Sequence, residues 1–421
     1  MLYSLATWIN GMAFKNINFT PTGRPVIKIA EIKGGITAQT QFTDSEYDKR
    51  YFITRGDMLF SWSGQPETSI DVFYWDGPDG WLNQHVFKVL PDDDACTPTF
   101  LYYTLKYLKP NFIGIARNKQ TTGLGHVTKA DMQAIQVRIP GRPTQNRITH
   151  ILGKLDARID VNRRMNRTLE RMAAALFKSW FIDFDPVRAK ADGRETGLPA
   201  EIANIFPDSF EDSELGAIPA GWTVTPMKDL ADVNARSTKK DYPHARIRYV
   251  DISSVSQGSL DQTTTYDLAD APSRAKRLVQ TGDTIWSCVR PNRNAYLYID
   301  RPADNLVVST GFAVLSPRTI PASYLHQWVT TQAFVDYLTA YATGAAYPAV
   351  KADTFETAKM ILPGKGILKA FHDLVGPLRA RIAHNQRQNR RLAGLRDTLL
   401  PKLLSGEIEA PDVEQAAGRA V

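Results

Sequence analysis

Gly153-Lys154-Leu155-Asp156-Ala157-Arg158-Ile159 and Gly376-Pro377-Leu378-Arg379-Ala380-Arg381-Ile382 are two copies of one pattern, 223 residues apart. The match continues through Asn162 and Asn385, Arg164 and Arg387, Asn166 and Asn389, Arg167 and Arg390, and Leu169 and Leu392, so that ten of the twenty-two positions from 151 to 172 recur at that offset. A likeness this dense at one fixed offset marks an internal duplication, and the fold has to be read as a repeat. Upstream the likeness is fainter but keeps its order. Thr54-Arg55-Gly56-Asp57-Met58-Leu59-Phe60-Ser61-Trp62 resembles Gln280-Thr281-Gly282-Asp283-Thr284-Ile285-Trp286-Ser287-Cys288. Lys129-Ala130-Asp131 and Ile139-Pro140 return as Lys351-Ala352-Asp353 and Leu362-Pro363, while Ile27-Lys28 and Glu31-Ile32 echo Ile247-Arg248 and Asp251-Ile252. The chain therefore reads as globular segment, helix, globular segment, helix.

Both strongly matching copies are predicted to be helical because their apolar residues recur in steps of three or four. One seam runs Ile148, Ile151, Leu155, Ile159, Asn162, Asn166, Leu169, Ala173 and Leu176; the other runs Phe371, Leu374, Leu378, Ile382, Asn385, Asn389, Leu392 and Leu399, with Arg396 where an apolar residue is expected. Two copied seams are predicted to pair with each other as an antiparallel coiled coil, the second helix breaking near Pro401. Asn in a seam weakens packing but fixes register, since an amide opposite leucine would be buried without a partner. Asn162, Asn166, Asn385 and Asn389 are the register residues, and Asn162 is expected to meet Asn385.

The globular segments carry short Val/Ile-rich strands, such as Val26 to Ile32 and Ile135 to Ile139, between Gly, Pro and Asp turns, and each is predicted to be a mixed α+β unit. The expected boundaries are 1–143 and 218–364 for the two units, 144–184 and 365–405 for the helices, 185–217 for a linker punctuated by Pro186, Pro199 and Pro207, and 406–421 for a tail. The first unit opens abruptly at Tyr3, without a lead-in like Gly221-Trp222, as an N-terminal truncation or a late start codon would leave it.

A chain of 421 residues, 43% hydrophobic and 23% charged, has the composition of an ordinary globular protein and the length of more than one domain. Its longest wholly apolar run, Met172 to Phe177, is far too short to span a bilayer, and Met1 to Phe14 lacks the pattern of a secretory signal. Cys96 and Cys288 match no metal-ligand spacing and are expected to be small core residues in a reducing cytoplasm. The net charge of +7 is uneven: 142–171 holds eight Lys/Arg against three Asp/Glu, and 376–402 holds seven against one. The positive field thus sits on the two helices. The row Arg158, Arg163, Arg164, Arg167 and Arg171 fits a solvated helix surface, DNA phosphate contact, or a docking face for an acidic partner.

There is no GxxxxGK[ST] phosphate loop, no HExxH pair, and the single carboxylate-x-lysine triplet, Glu31-Ile32-Lys33, lacks an upstream acid for a metal nuclease. Asp183-Phe184-Asp185-Pro186-Val187 is only a distant imitation of a methyltransferase loop. What the globular segments do contain is two polar loops, Arg117 to His126 and Arg290 to Asn294. Arg and Lys can donate to guanine O6/N7, Asn and Gln can pair with adenine N6/N7, and glycine lets backbone approach a phosphate. Lys119, Gln120, Thr121, Thr122 and His126 in the first loop and Arg290, Asn292, Arg293 and Asn294 in the second are candidate DNA contacts, together with Lys33, Ser63, Gln65, Tyr347 and Lys351. Trp62, Trp75 and Trp81 are expected in the core.

Asn146 to Pro186, including Leu176-Phe177-Lys178-Ser179-Trp180-Phe181-Ile182-Asp183-Phe184-Asp185-Pro186, resembles the central helix of type I restriction enzyme specificity subunits. Gly34-Gly35-Ile36-Thr37, Trp81-Leu82-Asn83-Gln84-His85 and Leu399-Leu400-Pro401-Lys402-Leu403-Leu404-Ser405-Gly406 resemble the same family, so the likeness covers nearly the whole chain. The resemblance implies two target-recognition domains, each reading one half of a bipartite site in double-stranded DNA, with the helices as spacer and docking site for two methyltransferase subunits. It also implies a separate motor-nuclease subunit. S-adenosylmethionine, ATP and magnesium would then belong to the partners, and this chain would bind no cofactor and catalyse nothing. The competing readings are a self-sufficient methyltransferase or nuclease, and a coiled-coil scaffold without sequence preference.

Overall fold

Met58-Leu59-Phe60-Ser61 is a strand buried at every position, and it reads as a continuous run because both of its faces are covered. Successive side chains point to opposite faces, so Met58 and Phe60 enter one apolar cluster and Leu59 another. The strand lies inside an antiparallel sheet ordered Ala6–Asn10, Val86–Pro91, Met58–Ser61, Asp71–Tyr74. A second sheet is ordered Phe42–Thr43, Arg24–Ile27, Gly80–Leu82, Phe52–Ile53, with one parallel pair in which Val26 faces Trp81. The computed structural model describes residues 1–15, 18–120, 123–239, 241–345, 347–411 and 413.

The second half repeats this plan. Its antiparallel sheet is ordered Ala231–Val233, Phe312–Pro317, Thr284–Ser287, Tyr296–Tyr298, and its other sheet Thr264–Asp267, Arg246–Val250, Leu306–Ser309, Ala275–Leu278, again with one parallel pair. Even the register is kept: Met58 faces Val89 and Ser61 faces Val86, as Thr284 faces Leu315 and Ser287 faces Phe312. The same turn leads into both central strands. The Asp57 and Asp283 carboxylates accept from the backbone N–H of Thr54 and Gln280, each at 2.7 Å, around Gly56 and Gly282 at φ 95° and 94°. A side chain at either glycine would be strained there.

The two long helices run Arg142–Phe181 and Lys365–Ser405. By contact the chain forms two units, Met1–Val161 with Gln388–Val421, and Asn162–Arg387, so each unit holds parts of both helices. The first core receives Ile148, Leu152, Leu400, Leu403, Leu404 and Ala410; the second receives Phe371, Val375, Phe177, Trp180, Phe181 and Val187, which are the same six repeat positions. Within each unit the helices run antiparallel. Arg396 donates to Asp156 at 2.7 Å in the first; Asn385 donates to Asn166 and Arg379 to Glu170, both at 2.8 Å, in the second.

Several expectations change here. Asn385 is paired with Asn166 rather than Asn162, because the stagger of the two antiparallel helices sets Asn166, one turn further on, opposite Asn385. The second helix is not broken near Pro401 but runs through it to Ser405. Leu374, assigned to the seam, is 43% exposed while Val375 is buried, since a 3.6-residue period drifts off a strict heptad. Val26 to Ile32 is a strand only to Ile27; the Glu31 carboxylate then caps the Lys28 N–H at 3.0 Å and a helix, Ile29–Gly34, begins. Ile135 to Ile139 is not a strand, whereas its counterpart Lys359–Leu362 pairs with Thr223–Pro226. Of the tryptophans expected in the core, Trp75 and Trp81 are buried and Trp62 only partly so. The stretch 185–217 carries a helix, Asp185–Ala191, and its Val187 and Phe206 join the second core.

The amide pair is directly testable. Asn166→Leu alone is expected to cost about 1 to 2 kcal/mol in urea denaturation, because Asn385 is fully buried and loses its acceptor. Asn166→Leu with Asn385→Leu should restore most of that loss, and additive single effects would show that the pair carries no coupling.

Candidate nucleic-acid interface

Where the central strand leaves its sheet, each unit ties the departing loop to the loop that follows its second short helix. In the first unit Val127 N–H donates to Trp62 O at 2.9 Å, and Ser63 and Gly64 pair antiparallel with His126 and Gly125. In the second, Val350 N–H donates to Cys288 O at 2.9 Å and Val289 bridges Ala349. These are equivalent positions of the repeat, so one two-loop platform is built twice. The first is tight: a Cβ on Gly125 would lie 2.2 Å from Ala116 O, and one on Gly64 2.6 Å from Ser69 Cβ.

Most of the sequence candidates fall on these platforms. Ser63, Gln65, Gln120 and His126 stand on the first, and Lys33 reaches it by donating to Thr68 O at 2.6 Å. Gln65 Oε1 accepts from Thr68 Oγ1 at 3.4 Å, and Gln120 Nε2 donates to Gly123 O at 2.7 Å. Lys119 turns inward, with its ammonium 2.7 and 2.6 Å from the two oxygens of Asp131. Burial works against the Asp131 charge, but the hydrogen bonds from Lys119 and Thr128 outweigh it and hold the carboxyl below its ordinary range. Thr121 and Thr122 lie outside the described residues. On the second platform the Arg290 guanidinium lies 4.5 Å from the Tyr347 ring centroid, Asn292, Arg293 and Lys351 are exposed, and Asn294 takes a left-handed φ of 54°.

Three residues that composition did not single out stand at the first platform. Trp62 Nε1 donates to Asn10 Oδ1 at 3.0 Å, and the His85 ring centroid lies 6.0 Å from that of Trp62. The strand register was the only signal that could have placed them there. Arg158, Arg163, Arg164, Arg167 and Arg171 are all exposed on the first long helix. Cys96 is buried and Cys288 half-buried, and burial pushes both thiols up to about 11. Among the described residues no group of His, Cys, Asp and Glu could hold a metal, and no helix is long and apolar enough to cross a membrane.

The family described as the type I restriction modification DNA specificity domain matches residues 2–171. The type I restriction enzyme HindI specificity subunit of Haemophilus influenzae is 25% identical over 409 residues, covering 85% of this chain and 87% of that protein. The MjaIX specificity subunit of Methanocaldococcus jannaschii is 24% identical over 422 residues, covering 92% and 90%. Among solved structures, the S subunit of a type I restriction-modification system from M. genitalium aligns with 96% of this chain and 94% of its own, at 14% identity and a TM-score of 0.49. A duplicated α+β unit threaded by two long helices is thus similar along nearly its whole length to type I restriction enzyme specificity subunits, and its residues 2–171 match the model of their DNA specificity domain.

Proposed function

We propose that this chain reads a bipartite DNA site, one half with each platform, and directs two methyltransferase subunits and a motor-nuclease subunit to it without catalysing a step itself. The observation that carries the reading is the twofold occurrence, on one chain, of the same two-loop platform with polar side chains on it. Helix Arg142–Phe181 is unbroken where the chain passes from one unit to the other. In this reading S-adenosylmethionine belongs to the methyltransferase subunits, ATP and magnesium to the motor-nuclease, and the assembly works in the cytoplasm. The exposed arginines of the first helix serve DNA phosphates or a partner's acidic face.

Selection of bound duplexes from a randomised pool, with the chain assembled on its methyltransferase partner, tests the reading. Two short specified blocks separated by a constant, unspecified spacer are expected. One continuous block, or no preference at all, would overturn it.

A further inference from the structure

We propose that residues 136–139 of the first unit are a docking edge for one more antiparallel strand, and that a lead-in segment like residues 221–226, joined ahead of Met1, fits it. In the second unit the equivalent edge is occupied: Thr223–Pro226 pairs with Lys359–Leu362, Pro226 facing Lys359 and Thr223 facing Leu362. Directly after that strand Met227 N–H donates to Ala358 O at 2.8 Å, and a short helical turn, Met227–Leu230, buries Met227 and Leu230. The first unit keeps the bond and the turn. Leu2 N–H donates to Ile135 O at 2.9 Å, and Leu2–Leu5 buries Leu2 and Leu5. This bond fixes the correspondence: 136–139 stand in the places of Lys359–Leu362, and Met1 stands in the place of Pro226.

Along 135–139 the side chains alternate between half-buried and exposed, the period of an extended strand. The N–H and C=O groups of 136–139 have no hydrogen-bond partner among the described residues, so this stretch of backbone stands ready to pair. Cover differs as well: Met360 and Ile361 are buried in the second unit, whereas Val137 is half-buried and Arg138 exposed in the first. On the second edge the lead-in also brings Trp222, 3% exposed, whose ring centroid lies 5.9 Å from Phe181 and 5.8 Å from Phe184. The occupant is therefore an extended segment with a large apolar side chain at its start and β-branched residues after it, running on into Leu2. Main-chain bonds supply its affinity and the alternate side chains its specificity. A second copy of the chain fits less well, because its strand would have to end against Met1, where the Leu2 bond has already set the register.

The test is hydrogen exchange on the full chain, with and without Gly-Trp-Thr-Val-Thr, the sequence of residues 221–225, joined ahead of Met1. In the parent the amides of 136–139 are expected to exchange nearly as fast as in unfolded peptide, and in the extended chain slower by about tenfold or more. An extension of the same length made of Gly and Ser should leave them fast. Proline in place of both the valine and the last threonine of the extension should abolish the protection, since adjacent N–H groups of a strand point opposite ways and one of these two must face the edge. Unchanged exchange across 162–387 in every version reports an intact fold. Equal exchange in the parent and the extended chain, or equal protection by the Gly/Ser extension, would overturn the inference. Protection of 136–139 in the parent would overturn it too: constant with protein concentration, it would mean that the edge is already filled, and growing with concentration, that a second copy fills it.

Discussion

Phe371→Ala lowers the stability of the second unit by about 4 kcal/mol, the cost of removing a large ring from a site that cannot collapse. Phe371 is fully buried, and its ring centroid lies 5.8 Å from Phe177, 6.1 Å from Trp180, 5.1 Å from Phe181 and 6.4 Å from Tyr324. Such contacts add edge-to-face attraction to the area each ring buries. Three of those neighbours are on the opposite long helix, so the substitution loosens the end of one helix from the start of the other. The equivalent residue of the first unit, Ile148, sits among aliphatic Leu152, Leu400, Leu403 and Leu404. Hydrogen exchange should show lost protection in 162–387 and little change in 24–118. Equal losses in both, or a cost under about 1 kcal/mol in denaturant, would show that the aromatic cluster is not a keystone.

Glu170→Ala is expected to cost about 3 kcal/mol, and Glu170→Ala with Arg379→Met to recover nearly all of it. The Arg379 side chain is 7% exposed and its Nε has no hydrogen-bond partner among the described residues, so the carboxylate of Glu170 at 2.8 Å is its main compensation. Glu170 itself is 37% exposed, and the water that reaches it keeps the figure at the low end for a broken buried pair. The surroundings offer little replacement. Tyr298 presents its ring 5.8 Å from the guanidinium, and His326, whose pKa is lowered by burial and then by the Arg379 charge, offers no negative charge in either form. A methionine of similar reach removes the stranded charge together with its need for a partner. Urea midpoints of the parent, the single variant and the double variant decide the matter: a double variant no more stable than Glu170→Ala would mean that the loss was packing, not charge.

The duplication, the two helices and their polar seam positions were legible because they rest on local periodicity and on identity at a fixed offset. The antiparallel pairing was legible as well, but not which asparagine meets which: Asn162 and Asn166 are a turn apart, and only the relative stagger of two helices chooses between them. Leu374 and Val375 are adjacent and both apolar, so no sequence pattern says which one the core takes. Ile135 to Ile139 has strand composition without strand structure, since a strand is completed by a neighbour that composition does not reveal. The candidate interface was half legible. Polar loops drew attention to Arg290 and His126, but the backbone pairing that unites Ser63 with His126 and Val289 with Ala349 is a tertiary fact. Lys119 illustrates the converse: its type suits base recognition, and its neighbour Asp131 engages it.

The first core draws on residues near both ends of the chain, whereas the second unit is one contiguous stretch, 162–387. During vectorial synthesis this reverses the order that numbering suggests. The emerging N-terminal segment can form its sheets, but Leu2, Ile148 and Leu152 wait for Leu400, Leu403 and Leu404, which leave the ribosome more than two hundred residues later. The contiguous unit can finish while that surface is still uncovered. A chain cut short before residue 400 would therefore keep the second reader whole and leave the first with an open apolar flank, so premature termination would cost the half of the protein made earliest.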